Sequence, residues 1–211
     1  DADLAAEGHK GNARASGSGG LDHVVLDALR FAVAKAKIEG KARVEWSPAL
    51  VADADLRVQD LDPGLIAPAW PGRLNGTVQA RTQMRRDEPE VQFTVALKDS
   101  RLRDYPLALD ARGTAVGASV KLDALQLVTG GTRLQAKGQV TPPFDVTAHL
   151  DSPNLAALWP GLRGRAQLDA SLRGTVQAPH VVAKGTVDGF EYDTLVVRRA
   201  DLDADVDLAG A

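Results

Sequence analysis

Val91-Gln92-Phe93-Thr94-Val95-Ala96-Leu97 is apolar at every odd position. A β-strand turns successive side chains to opposite faces, so a run of this kind builds one apolar face and one polar face. The same period returns in Val116 to Asp123, with Val116, Ala118, Val120 and Leu122 in phase, and in Phe144 to Leu150, with Phe144, Val146, Ala148 and Leu150. Ala166 to Gly174 sets Ala166, Leu168, Ala170 and Leu172 on one side. Leu202 to Leu208 is the strictest run, with Leu202, Ala204, Val206 and Leu208 against Asp201, Asp203, Asp205 and Asp207. Upstream, Leu29, Phe31 and Val33 share a face, as do Ile38, Gly40, Ala42, Val44 and Trp46. Residues 22–37 have the Ala, Leu and Lys content of a helix, but the alternation inside them favours strands.

Turn signals separate these runs: Gly17-Ser18-Gly19-Gly20, Arg86-Asp87-Glu88-Pro89, Thr129-Gly130-Gly131-Thr132, Thr141-Pro142-Pro143 and Ala178-Pro179-His180. About a dozen strands with short turns predict an all-β chain, one continuous sheet with short helical turns only. A second pattern punctuates it. Leu61-Asp62-Pro63-Gly64 leads to Trp70-Pro71-Gly72, and Leu150-Asp151-Ser152-Pro153 leads to Trp159-Pro160-Gly161, with the tryptophans 89 positions apart. Gly76-Thr77-Val78-Gln79-Ala80 likewise returns as Gly174-Thr175-Val176-Gln177-Ala178. Repetition on this scale marks one architectural unit used twice. Each copy predicts a short helical turn with Pro63 or Pro153 at its first position, capped by Asp62 or Ser152. Pro71 and Pro160 end the turns, Gly72 and Gly161 take the bend, and Trp70 and Trp159 plug apolar surface there.

The 211 residues carry 25 Lys and Arg against 28 Asp and Glu, a net charge of −3. That balance excludes the clustered positive charge a nucleic-acid partner requires. There is no cysteine, hence no disulfide, thiol nucleophile or thiolate metal site. No apolar run is long enough to span a bilayer as a helix. A chain opening on Asp1-Ala2-Asp3-Leu4 has neither a start methionine nor a signal peptide, and is read as one segment, 1–211, of a longer protein with its anchor outside. Only 4% of the residues are aromatic, thin filling for a sandwich core. The alternative is an elongated curved sheet, folded as a half-open tube with an apolar inner face and a polar outer face. Apolar surface left in water costs about 25 cal/mol per Å², so such a face implies an occupant. A dozen strands at ~4.8 Å would make a trough on the order of 60 Å long, suited to acyl chains.

Catalytic chemistry is missing. His9, His23, His149 and His180 fall in no metal-binding spacing, and Ser16 to Gly20 fits neither a nucleophile elbow nor a dinucleotide fingerprint. The aspartate row 201–207 lacks the glycine and the later glutamate of a calcium loop, and reads as a solvated outer face. No enzyme, cofactor or metal is expected.

The stretch from Leu61-Asp62-Pro63-Gly64 to Trp70-Pro71-Gly72-Arg73-Leu74 resembles recurring segments of the TamB family, the inner-membrane component of the translocation and assembly module. So does Leu155-Ala156-Ala157-Leu158-Trp159-Pro160-Gly161 followed by Leu172-Arg173-Gly174-Thr175-Val176. The matching stretches cover residues 61–80 and 150–185; the AsmA-like proteins share the general style. The resemblance implies a periplasmic β-taco, anchored in the inner membrane by a helix absent here. Its apolar interior would carry phospholipid to the outer membrane, where the family meets the TamA barrel. It implies, as a second role, help in assembling outer-membrane proteins and autotransporters. The expected function is therefore a non-enzymatic conduit supporting outer-membrane biogenesis, with Val91, Phe93, Val95, Leu97, Val120, Leu122, Phe144, Val146, Leu150, Leu168 and Leu172 lining the lipid groove. A scaffold templating outer-membrane strands, and an adhesin-like solenoid, are the alternatives.

Overall fold

The computed structural model describes residues 2–6, 9–33, 35–47, 51–85 and 88–208. Their backbone forms fourteen strands: β1 (Ala2–Ala6), β2 (His9–Gly19), β3 (His23–Val33), β4 (Ala36–Glu45), β5 (Val51–Leu61), β6 (Gly72–Arg85), β7 (Glu88–Leu102), β8 (Tyr105–Val116), β9 (Ser119–Thr129), β10 (Thr132–Gln139), β11 (Phe144–Ser152), β12 (Arg163–Gly174), β13 (Pro179–Tyr192) and β14 (Leu195–Asp207). They make one sheet in which strand order is chain order. The fold is all-β, as alternation predicts. Two 3-10 turns, Pro63–Leu65 and Leu155–Ala157, are the helical content among the described residues.

The chain divides into two compact units, one of Asp1–Asp104 with Thr114–Gly117, the other of Tyr105–Gly113 with Ala118–Ala211. In the first, antiparallel ladders join β1 through β7 in turn. In the second they join β9 through β14. Each copy of the repeated Trp-Pro-Gly pattern lies in its own unit. Few side chains are sealed: among the described residues the buried apolar ones are Ala36, Leu107, Ala111, Leu155, Ala157 and Ala166.

Strand pairing corrects the sequence reading at several points. The run Val116 to Asp123 is two strands, because Gly117 adopts φ 55°, open to glycine at little cost, and turns the chain between β8 and β9. Gly17, Ser18 and Gly19 belong to β2, since a bulge after Ser16 brings the Val25 carbonyl where a Cβ on Gly17 would sit. The chain bends instead at Leu21-Asp22. Within residues 22–37, His23–Val33 form β3 and Ala36 and Lys37 open β4, as the alternation favoured; residue 34 lies outside the described residues. Gly130 and Gly131, at φ 56° and 85°, make the two-residue turn between β9 and β10. Arg86 and Asp87 lie outside the described residues.

The repeated pentapeptide has two settings. Gly76 to Ala80 is strand interior, paired with Leu97 to Phe93. Gly174 ends β12, and Thr175 to Ala178 form the connection to β13, where the Thr175 hydroxyl accepts from the Ala178 N–H at 3.2 Å. Identical letters give different structure because ladder partners, not the local sequence, decide whether a segment stays extended.

Candidate functional site

In the second unit the register aligns apolar side chains into rows that run across the strands. Leu127 faces Leu134, which faces Leu150, then Leu168, Gly185 and Leu202. The next row is Leu125, Ala136, Ala148, Ala170, Ala183 and Ala204. A third is Leu122, Gly138, Val146, Leu172, Val181 and Val206. Directly opposed residues in antiparallel strands share a face, so these rows form one apolar surface with no charged residue in it. Phe144 extends it beside Gly174, and Val120 lies two residues before Leu122 in β9. The first unit repeats the arrangement. Ile38, Val58, Gly76 and Leu97 make one row, Gly40, Leu56, Val78 and Val95 a second, and Ala42, Ala54, Ala80 and Phe93 a third. Val91 stands opposite Thr82, so a hydroxyl enters at that margin.

The eleven sequence-predicted lining residues thus fall into two sets: Val91, Phe93, Val95 and Leu97 on β7, and the other seven on β9, β11 and β12. All are half-buried. Sequence reading missed Leu125 and Leu127, which are out of phase with Leu122 by simple alternation. The ladder of β9 and β10 shifts register between Ala136 and Gly138, so Leu122 and Leu125 come to one face. Gly138 permits this. Its φ is 114°, and a Cβ there would fall on the Asp145 carbonyl oxygen.

The opposite face is charged and cross-linked. Arg173 pairs with Asp145 at 3.2 Å, Arg163 with Glu191 at 3.2 Å and Lys184 with Asp203 at 3.4 Å. His180 meets Asp207 at 2.7 Å and Asp205 at 3.4 Å, and Asp201 has Arg199 at 3.9 Å. The aspartate row therefore faces Lys184 and His180 on β13, and Arg199 along β14 itself. Each exposed pair is worth at most about 1 kcal/mol. Their effect is to keep this face wet. His149 and Asp169 bond at 2.7 Å. A cavity of about 580 Å³ opens over β9 to β13 between the row of Gln126, Gln135, His149, Asp169 and Lys184 and the row of Lys137, Thr147, Ser171 and Val182. None of the eleven expected residues borders it.

The two turns carry the repeated motifs. Asp62 caps the first, accepting from the Gly64 N–H at 2.8 Å and from the Gly72 N–H at 2.8 Å, with Pro63 at its start. Pro71 follows Trp70, and the Trp70 ring lies 5.0 Å beneath the Arg103 guanidinium. In the second turn Asn154, not Ser152, is the cap, accepting from the Ala156 N–H at 3.2 Å. Ser152 instead buries its hydroxyl against Thr132 at 2.7 Å, because it is still the last residue of β11. Pro160 follows Trp159, and Gly161 takes the bend at φ 84°. Trp159 is 52% exposed, more than a plug sealing a bend would leave.

A sequential antiparallel meander, with apolar cross-strand rows on one face and charged pairs on the other, places the chain in the all-β class of single-sheet proteins. Among the described residues no helix is long and apolar enough to cross a membrane. The chain belongs to the TamB family: the family model described as the TamB N-terminal domain matches residues 6–211. It is similar to the translocation and assembly module subunit TamB of Haemophilus influenzae, 24% identical over 165 residues, covering 77% of this chain and 13% of that protein. The chain therefore spans about one eighth of the length of that relative. No solved structure matches.

Proposed function

We propose that this chain is a non-enzymatic section of a periplasmic conduit, whose apolar sheet face shelters phospholipid acyl chains moving between the inner and outer membranes. One observation carries the reading: in both units the cross-strand rows are apolar over four to six strands, yet their side chains stay half-buried, or on β14 exposed at Leu202 and Val206, rather than sealed. Apolar area left in that condition costs about 25 cal/mol per Å² until something apolar covers it. The family supports the setting, since the Haemophilus influenzae relative is named as a translocation and assembly module subunit. Within the longer protein the partner at the outer membrane would be the TamA barrel.

The test is the pair Val95→Arg with Leu122→Arg, one charge on the apolar face of each unit. It should abolish lipid co-purification, read by mass spectrometry, and outer-membrane integrity in cells, while the circular-dichroism spectrum stays that of a sheet. Full membrane integrity in the double variant would sink the proposal. A second reading rests on the printed name of the Haemophilus influenzae relative, a subunit of a translocation and assembly module: a scaffold that templates outer-membrane strands by β-augmentation. A photoreactive residue at Phe93 separates the two: lipid adducts favour the conduit, and polypeptide adducts favour a scaffold for outer-membrane strands.

A further inference from the structure

Two register shifts lie side by side in the first unit. The ladder of β5 and β6 shifts between Val58 and Leu61, and that of β6 and β7 between Arg73 and Gly76. Asn75, on the strand between, ties both neighbours in place. Its side-chain oxygen accepts from the Asp60 N–H at 2.9 Å, and its side-chain amide donates to the Asp99 carbonyl at 2.9 Å. Its own backbone N–H donates at 2.8 Å to the hydroxyl of Ser100, which is buried. Irregularities of this kind re-aim the side chains around them. Here a cavity of about 500 Å³ opens beside them, bordered by Arg57, Gln59, Thr77, Ala96, Lys98 and Asp99 among others. Arg57, Thr77 and Ala96 are directly opposed and alternate with Val58, Gly76 and Leu97, so the cavity lies on the face away from the apolar rows.

The cations of this wall are unmatched. Glu39 stands directly opposite Arg57 on β4, yet meets Arg30 at 3.7 Å instead. Among the described residues neither the Arg57 guanidinium nor the Lys98 ammonium has a hydrogen-bond or ion-pair partner. Asp60 is answered by Arg73 at 3.8 Å. Two cations therefore face the one remaining carboxylate, that of Asp99, and the balance favours an anion. Arg57 and Lys98 rise two strands apart, roughly 10 Å. The Thr77 hydroxyl stands on the strand between them, and the short Ala96 side chain leaves room for both long side chains to close on one group. A guanidinium takes two oxygens in one plane. An ammonium and a hydroxyl approaching from other sides suit the out-of-plane oxygens of a phosphoryl group better than a flat carboxylate. The cavity is larger than that group alone. Gln59 and Asp99 border the remainder, and amide and carboxylate oxygens accept from hydroxyls.

We propose that this cavity binds a phosphate ester of a polyol, with Arg57, Thr77 and Lys98 on the phosphoryl oxygens and Gln59 and Asp99 on the hydroxyls. The ester is either a soluble metabolite or the headgroup of a lipid in a bilayer. Because the cavity and the apolar rows are on opposite faces, the site stands or falls independently of what those rows carry.

The probe is glycerol phosphate, titrated into the 211-residue chain and followed by amide and side-chain chemical shifts. Inorganic phosphate is a separate titrant, and flotation with phosphatidylglycerol vesicles is the lipid arm. Saturable shifts at Arg57, Thr77 and Lys98 are expected, at lower concentration than inorganic phosphate requires. Arg57→Lys, which keeps the charge and loses the fork, and Lys98→Gln should each weaken the affinity about tenfold or more. Lys41→Gln removes a charge from the same face outside the cavity and should leave the affinity unchanged. Binding of glycerol phosphate upholds the proposal with a soluble source. Flotation that Lys98→Gln abolishes, without a response to glycerol phosphate, upholds it with a lipid headgroup. No binding in either arm, equal affinity for inorganic phosphate, or equal loss in Lys41→Gln and Lys98→Gln would each overturn it.

Discussion

Gly130→Ala and Gly189→Ala form a matched pair that measures how tightly the second turn closes. The two glycines lie in the same unit with nearly the same backbone, φ 56° and 59°. Placing alanine in that left-handed region costs roughly 1–2 kcal/mol, offset in part by about 0.4–1 kcal/mol from the stiffer unfolded chain. That leaves about 1 kcal/mol at either site from the backbone alone. The surroundings then diverge. A Cβ at Gly189 meets nothing within 4 Å, whereas at Gly130 it meets the Ala157 Cβ at 2.6 Å and the Tyr105 ring at 2.7 Å. Overpacking of that kind adds about 1–3 kcal/mol. Gly189→Ala should therefore destabilise by about 1 kcal/mol and Gly130→Ala by about 2–4 kcal/mol. Urea unfolding followed through Trp159 fluorescence reads both. Ala157→Gly supplies the internal check, because removing the facing methyl should return about 1 kcal/mol of the Gly130→Ala loss in a double-mutant cycle. Equal destabilisation by the two alanines, with no coupling to position 157, would refute the close seating of the turn on the hairpin.

Two further outcomes follow from the polar contacts. Asp62→Ala removes one acceptor serving two backbone N–H groups, and should cost about 1–2 kcal/mol; Asn154→Ala, which loses one capping bond of 3.2 Å and a 3.4 Å bond to the Tyr105 hydroxyl, both longer, should cost less. Thermal unfolding of both variants reads the order, and a larger loss at Asn154 would contradict the capping geometry. Asp22 accepts from His23 at 2.7 Å, and that hydrogen bond, followed by one to its own backbone, holds its carboxyl below the ordinary 3.8. A depressed carboxyl contributes stability that is present above 3.8 and is lost as pH falls through the lower folded value. Carboxyl-carbon NMR should place the Asp22 midpoint below 3.8, and His23→Ala should bring it back toward 3.8. An unmoved midpoint in that variant would remove His23 as the cause.

The all-β class, the strand character of residues 22–37 and the apolar phase of β7, β11 and β12 were legible in the residue string. Strand side chains repeat every two residues whatever the chain does elsewhere, so local order suffices to read them. The cap at Asp62 was legible for the same reason: a carboxylate just before Pro-Gly acts on the N–H groups beside it. Other features depend on residues distant in sequence. Leu125 joins the face of Leu122 only because β10 slips register at Gly138, and Ser152 leaves the capping position to Asn154 because Thr132, on another strand, holds its hydroxyl. That Trp70 lies under Arg103, a residue 33 positions on, is likewise a contact between segments distant in sequence. Alternation by itself determined that each strand has one apolar face. Only the ladders decided that those faces align into continuous rows, because register is a property of strand pairs, and a slip of one residue would turn the slipped strand's whole apolar set to the other face.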